Sequence, residues 1–300
     1  MQKTKRRVGF LTKADNNKVN IAIQSNDFDD ESYSELNQYF AFIHKLQPIL
    51  TSYEAIELSF KELESLLIKY DNYFSTVQLF DAFQTDTLLT YLAETTQKTT
   101  NFLSSATSFL CCAEVRLQKE FGKNSKQLDE WNSYRKGLHH QSFAYRFLYE
   151  MRNYSQHFYL PIDSIKVELD NICIGGRSVK NTLSLKRDEL LNSSYKWKEN
   201  MVADIQKTEA NIDLAPLIEE YMKSIRQIAQ KYVVNYREEA ERCSRYVASF
   251  KKQFQLPESC IPVIYIGETE EGQPVPRHME FIPFPQFNWV YRHFLQLSGL

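Results

Sequence analysis

Apolar residues return at helical spacing through most of this chain, and that pattern limits its fold more than any other feature. From Ser32 they recur at Tyr39, Ile43, Leu46, Leu50, Tyr53, Ile56, Phe60, Leu63 and Leu67, the mark of one buried side of a 3.6-residue period. Pro48 falls inside this stretch and is expected to kink or break the helix. A second helix is expected from about Asp86 to Phe121, with Leu88, Leu92, Phe102, Ala106, Phe109, Ala113 and Leu117 on its buried face and Phe121-Gly122 as its stop. A third is expected from about Leu138 to Phe158, which Pro161 keeps from running on. A fourth, from about Ala215 to Phe254, carries Leu217, Tyr221, Ile225, Ile228, Tyr232, Tyr236, Cys243, Val247, Phe250 and Phe254. A helix that long must pack against a comparable neighbour, in this chain or in another copy of it. With only 8 Gly and 9 Pro among 300 residues, a turn-rich all-β fold is disfavoured, and the expected class is mainly α (α+β).

Two short β regions interrupt the helices. Arg7 to Gln24 reads as a hairpin: Val8, Phe10 and Leu11, an Asp15-Asn16-Asn17 turn, then alternating Val19, Ile21 and Ile23. Asp27 to Glu31 forms an acidic loop suited to capping the next helix. Asn124 to Lys136 reads as a polar connector containing Trp131. Ser164 to Leu185 reads as two strands, with Ile165, Val167 and Leu169 before Gly175-Gly176 and Val179, Leu183 and Leu185 after it. The Pro- and aromatic-rich tail, Ile261 to Leu300, is expected to hold strands at Val263–Ile266 and Met279–Phe284. The expected organisation is an N-terminal hairpin (1–30), a helical bundle (31–162) and a C-terminal extension of hairpin, long helix and tail (163–300).

Lys and Arg number 36 against 38 Asp and Glu, a net charge of -2. No global basic field exists, so positive potential for a nucleic acid must be local or built by oligomerisation. Five cysteines, adjacent Cys111-Cys112 and isolated Cys173, Cys243 and Cys260, fit neither a disulfide framework nor a zinc pattern. They read as free thiols in a reducing compartment. The basic start, Lys3 to Arg7, has no apolar run long enough for a signal peptide, and no stretch approaches a membrane span. The expected location is the cytoplasm. No glycine-rich phosphate loop, Gly-x-Ser-x-Gly, His-Glu-x-x-His or carboxylate cluster at ligand spacing is present, so neither metal nor cofactor is expected.

The chemistry-bearing residues cluster at Arg152-Asn153-Tyr154-Ser155-Gln156-His157, which close an aromatic helix and precede Leu160-Pro161. A guanidinium can hold a phosphate and an imidazole can move a proton near neutral pH. The Arg-x4-His spacing alone is weak, because Arg135 to His140 repeats it. The second copy differs in its Asn153, its aromatic helix and the stop just beyond it. At about 100° per residue, Arg146, Glu150, Asn153 and His157 share one sector of roughly 60°, while Arg152 points about 140° away from His157. Three arrangements bring the two groups to one phosphate: the arginine reaches around, the last turn distorts, or two copies of the helix share their groups across a symmetric interface.

The segment Glu150-Met151-Arg152-Asn153-Tyr154-Ser155-Gln156-His157 with Leu160-Pro161 resembles the HEPN family, over about residues 35–160. The resemblance implies a HEPN-like helical bundle and a metal-independent endoribonuclease that works as a homodimer, often as a toxin or phage-defence effector with an antitoxin or defence-system partner. It implies His157 as general acid or base, Arg152 as the group that neutralises phosphate charge, and Asn153 as an orienting or phosphate-donating amide, with Arg146, Glu150 and Tyr154 supporting or contacting RNA. Cleavage through the 2'-hydroxyl would leave a 2',3'-cyclic phosphate and a 5'-hydroxyl.

The alternative is a non-catalytic dimerisation scaffold or sensor whose long stripes at 39–67 and 217–254 contact a partner. His139-His140 diverge on a helix and make a poor metal site; they read as solvated residues near a helix start. Lys180, Lys186, Arg187, Lys196 and Lys198, with Tyr195 and Trp197 between them, have the makings of an RNA-contacting face, but Asp188, Glu189 and Glu199 dilute it toward an ordinary solvated one.

Overall fold

The computed structural model describes residues 5–14, 18–77, 81, 85–170, 178–267 and 278–299. In chain order these form β1 (Arg6–Lys13), β2 (Val19–Asp27), α1 (Asp30–Thr76), α2 (Thr85–Phe121), α3 (Lys126–Gln141), α4 (Phe143–His157), β3 (Ser164–Asp170), β4 (Ser178–Lys186), α5 (Arg187–Asn192), α6 (Glu199–Gln206), β5 (Asn211–Asp213), α7 (Leu214–Val233), α8 (Arg237–Gln253), β6 (Ile261–Ile266), β7 (His278–Phe281) and α9 (Phe284–Ser298). The fold is mainly helical with two small antiparallel sheets. The expected turns at Asp15-Asn16-Asn17 and Gly175-Gly176, and Cys173, lie outside the described residues.

The chain divides into two compact units, Met1–Leu50 with Val233–Leu300, and Thr51–Tyr232. This differs from the three consecutive parts expected from the sequence, because the N-terminal hairpin does not stand alone. Strand β1 pairs with β2 on one side and with β6 on the other, in the order β2-β1-β6-β7. A two-stranded hairpin is marginal in water, and strands from the far end of the chain complete it. Gly9 is required there: a Cβ would come within 2.5 Å of the Ala22 carbonyl and of the Tyr265 ring. Aromatic rings fill the rest of this unit, with Phe28 edge-on to Phe250 and Phe254 and Phe40 stacked on Phe284. The buried Cys243 thiol donates to the Tyr39 carbonyl over 3.3 Å. Burial pushes that thiol up to about 12, so it stays protonated and is a poor nucleophile.

The other unit packs α2 against both α3 and α4. Its core holds Phe60, Phe102, Phe109, Trp131, Phe147 and Tyr221. The guanidinium of Arg226 donates to both carboxylate oxygens of Glu57 at 2.9 and 2.8 Å. Near the far ends of α1 and α2, Tyr70 stacks on Tyr91 at 3.8 Å, and Ile165, Val167 and Val179 from β3 and β4 pack onto that cluster.

Five local expectations change. Helix α1 runs through Pro48 unbroken, because Ile43, Leu46, Ile49 and Leu50 around it are buried and hold both sides in place. The fourth helix is two helices, α7 and α8, joined by a 3-10 turn at Val234–Tyr236. Two β-branched valines and an asparagine weaken the helix at that point, and Glu238 and Glu239 favour a fresh N-terminus. The polar connector at 124–136 is helical: Ser125 caps α3 by accepting from the Leu128 amide, and Trp131 is fully buried. The third helix accordingly starts later, at α4, where Ser142 ends α3 and caps α4 by accepting from the Tyr145 amide over 3.0 Å. This puts His139-His140 at the end of a helix, not near its start. The tail beyond Phe281 is a helix, α9, with Phe284, Phe287, Val290, Phe294 and Leu297 buried at helical spacing.

Candidate active site

Helix α4 positions the motif. Ala144, Tyr145, Phe147, Leu148, Met151 and Tyr154 bury one broad face, and that burial fixes where the polar residues emerge. The helix is α-helical through His157, so the last turn is not distorted. Phe158 caps it by donating its amide to the Tyr154 carbonyl over 2.9 Å.

The polar stripe divides into two parts with different partners. Arg146 donates to Asp204 on α6 at 2.8 Å and to the carbonyls of His139 and His140 at 2.8 and 2.7 Å. It closes the open end of α3 and ties α6 to α4, a task for which α3's unpaired terminal carbonyls create the need. Glu150 is buried and accepts from Lys198 and, at 3.2 Å, from the Tyr195 hydroxyl. Tyr154 is buried with its ring stacked on Trp197 at 5.3 Å, and Tyr195 meets Phe158 edge-on at 4.9 Å. Thus the suggested RNA-contacting segment at 195–198 packs against α4 itself. Lys186 and Arg187 pair with Glu189 and Asp188, as expected of a solvated face.

Arg152, Asn153 and His157 remain. The Arg152 guanidinium donates from Nη1 to the Asn153 side-chain oxygen at 3.0 Å. Its Nε is buried and has no hydrogen-bond partner among the described residues. A buried donor left without an acceptor costs about 1–3 kcal/mol. His157 is exposed in the last turn of α4, and Phe158, Tyr159 and Leu160 just beyond it are about half exposed (47%, 54% and 47%).

Asp204 is the partner that sequence reasoning missed. Nothing in its spacing marks it, because the pair with Arg146 spans fifty-eight positions of chain. Among the described residues, no group of three or more His, Cys, Asp or Glu is placed to hold a metal ion, and no helix is long and apolar enough to cross a membrane. The chain matches no family model, no curated protein and no solved structure.

Proposed function

We propose that this chain is a HEPN-like ribonuclease that cleaves RNA through its 2'-hydroxyl, acting as a homodimer in a toxin or phage-defence role. The observation that carries the reading is the presence at the end of one helix of an exposed imidazole, His157, and an arginine, Arg152, whose Nε is a buried donor with no acceptor among the described residues. A phosphate oxygen would supply that acceptor. In the reaction, His157 takes the proton from the ribose 2'-hydroxyl. The 2'-oxygen then bonds to phosphorus as the bond to the 5'-oxygen breaks, and a proton returns to that leaving oxygen. The products are the 2',3'-cyclic phosphate and a 5'-hydroxyl. Arg152 neutralises the charge that builds on the phosphate. Asn153 holds the guanidinium through its side-chain oxygen. Arg146 and Glu150, each engaged by partners in its own chain, keep α4 in place rather than touching RNA.

On a regular helix Arg152 lies about 140° round from His157. A second copy of α4 solves this by placing its histidine near the first copy's arginine. The half-exposed Phe158, Tyr159 and Leu160 supply an apolar surface beside the motif for such a contact.

Expression of the wild type beside His157→Ala and Arg152→Ala, with total RNA digested by each purified protein, tests the proposal. Growth arrest and RNA cleavage lost in both variants support it. Wild-type protein that leaves RNA intact overturns it in favour of a non-catalytic scaffold using the same apolar surface.

A further inference from the structure

The first Arg-x4-His copy, which the proposed chemistry does not use, lies beside a hollow of about 200 Å³ lined by Arg135, Lys136, His139, Tyr145 and Tyr149. Two helices build it. Arg135 and His139 stand one turn apart on α3, and Tyr145 and Tyr149 one turn apart on α4. Arg152 follows Tyr149 by three residues, so all three α4 residues share one face.

The lining combines cations with rings. Arg135 pairs with Glu114 at 3.2 Å and lies over the Trp131 ring at 4.9 Å. Its planar fork has five donors, and one carboxylate does not occupy them all. Lys136 is exposed and makes no ion pair among the described residues, which leaves one positive charge unbalanced. His139 meets Tyr145 edge-on at 5.9 Å. Burial, then the charges of Arg146, Lys198 and His140, hold its imidazole below the ordinary histidine range. Burial is the first cause of that depression, and the neighbouring cations add to it. Tyr145 is buried and its phenol is raised, so it remains a hydrogen-bond donor. Tyr149 is only partly buried and offers a ring.

We infer that this hollow binds one nucleotide, its phosphate on Arg135 and Lys136 and its base against Tyr149. Guanidinium and ammonium groups recognise phosphate, and an aromatic face accepts any base. At about 200 Å³ the hollow is too small for a duplex and encloses part of one nucleotide, the rest lying in solvent. Tyr149 precedes His157 by eight residues, about 12 Å of helical rise, so a strand crossing His157 can reach the hollow. The inference rests on the ribonuclease reading only for that strand. A free mononucleotide has the same chemistry.

The test uses full-length His157→Ala protein, which keeps RNA intact, with adenosine 5'-monophosphate and a single-stranded oligoribonucleotide as probes in calorimetric titrations. Lys136→Glu and Tyr149→Ala are added to that background, and Tyr149→Phe keeps the ring. Each disruptive change is expected to weaken binding by at least about fivefold, with Tyr149→Phe close to the parent. Mononucleotide binding with this sensitivity assigns the hollow to a free nucleotide. Oligonucleotide binding alone with this sensitivity assigns it to the RNA strand. Absence of binding by both probes, or binding indifferent to Lys136→Glu and Tyr149→Ala in folded protein, overturns the inference. RNA cleavage by the wild type is scored separately, so a silent nuclease with a nucleotide site and an active nuclease without one are distinguished.

Discussion

The two Arg-x4-His copies have identical spacing and exposed histidines, His140 and His157, but different surroundings for their arginines. In the first, on α3, Arg135 is paired with Glu114 and laid over Trp131, and the carbonyls of His139 and His140 are closed off by Arg146. In the second, on α4, Arg152 holds only the neighbouring Asn153 among the described residues, one of its donors is buried and unmatched, and His157 is exposed. The difference teaches that the spacing of an arginine and a histidine says little. What matters is what the surrounding fold leaves over: in the first copy the donors of Arg135 that Glu114 does not occupy, in the second an Arg152 with no acidic partner among the described residues.

The largest effect should separate the copies by chemistry. His157→Ala is expected to lower RNA cleavage by about 10²–10⁴-fold, whereas His140→Ala leaves the rate within about twofold. Both should keep their melting behaviour within about 0.5 kcal/mol, as exposed substitutions do. Equal rates for the two variants in a single-turnover digestion would erase the distinction.

Stability should separate them the other way. Trp131→Ala removes the fully buried ring beneath Arg135 and is expected to cost about 3–5 kcal/mol in urea unfolding. A loss under 1 kcal/mol would mean that α3 is not anchored there. Arg146→Ala leaves Asp204 and two helix-end carbonyls without their donor, for about 1.5–3 kcal/mol, with a smaller effect on the chemical step than on the midpoint. Arg135→Ala, whose side chain is 24% exposed in its pair with Glu114, is expected to cost about 1 kcal/mol.

The smallest effect concerns acid. His139 is held below the ordinary histidine range in the folded chain, by burial first and by Arg146, Lys198 and His140 next, with Glu150 opposing them. The unfolded chain therefore binds more protons, and stability present above the unfolded value of about 6.5 falls as pH drops through it. Melting curves at neutral and mildly acidic pH should show a larger acid loss for the wild type than for His139→Gln. Equal losses would show that this imidazole does not carry the effect.

Much of the fold was legible because helical burial writes itself into spacing. The stripes of α1 and α2 and the alternation of β2 and β3 were readable, although β2 turns Val19, Ile21 and Ile23 outward, and so was the cap at the start of α1, where Asp29 accepts from the Ser32 amide over 2.7 Å. Other elements were misread from composition. The polarity of 124–136 hid the Ser125 cap and the Leu128 to Trp131 interval, and the prolines and aromatics of the tail hid the period of α9. The motif residues were also legible. Their surroundings were not, since Asp204, Tyr195, Trp197 and Lys198 reach α4 across long stretches of chain.

The sequence by itself determined that this is a mainly helical chain with short antiparallel strands and a polar, potentially reactive end on one aromatic helix. Local periodicity, caps and residue chemistry act within a few turns and need no distant partner. Only the tertiary structure decided that β1 is completed by β6, that Arg146 and Glu150 are engaged by distant partners, and that Arg152 holds the neighbouring Asn153 while His157 stays exposed. Those outcomes depend on which distant groups arrive beside a side chain, and a charge or a donor is free for chemistry only when the folded neighbours have not already satisfied it.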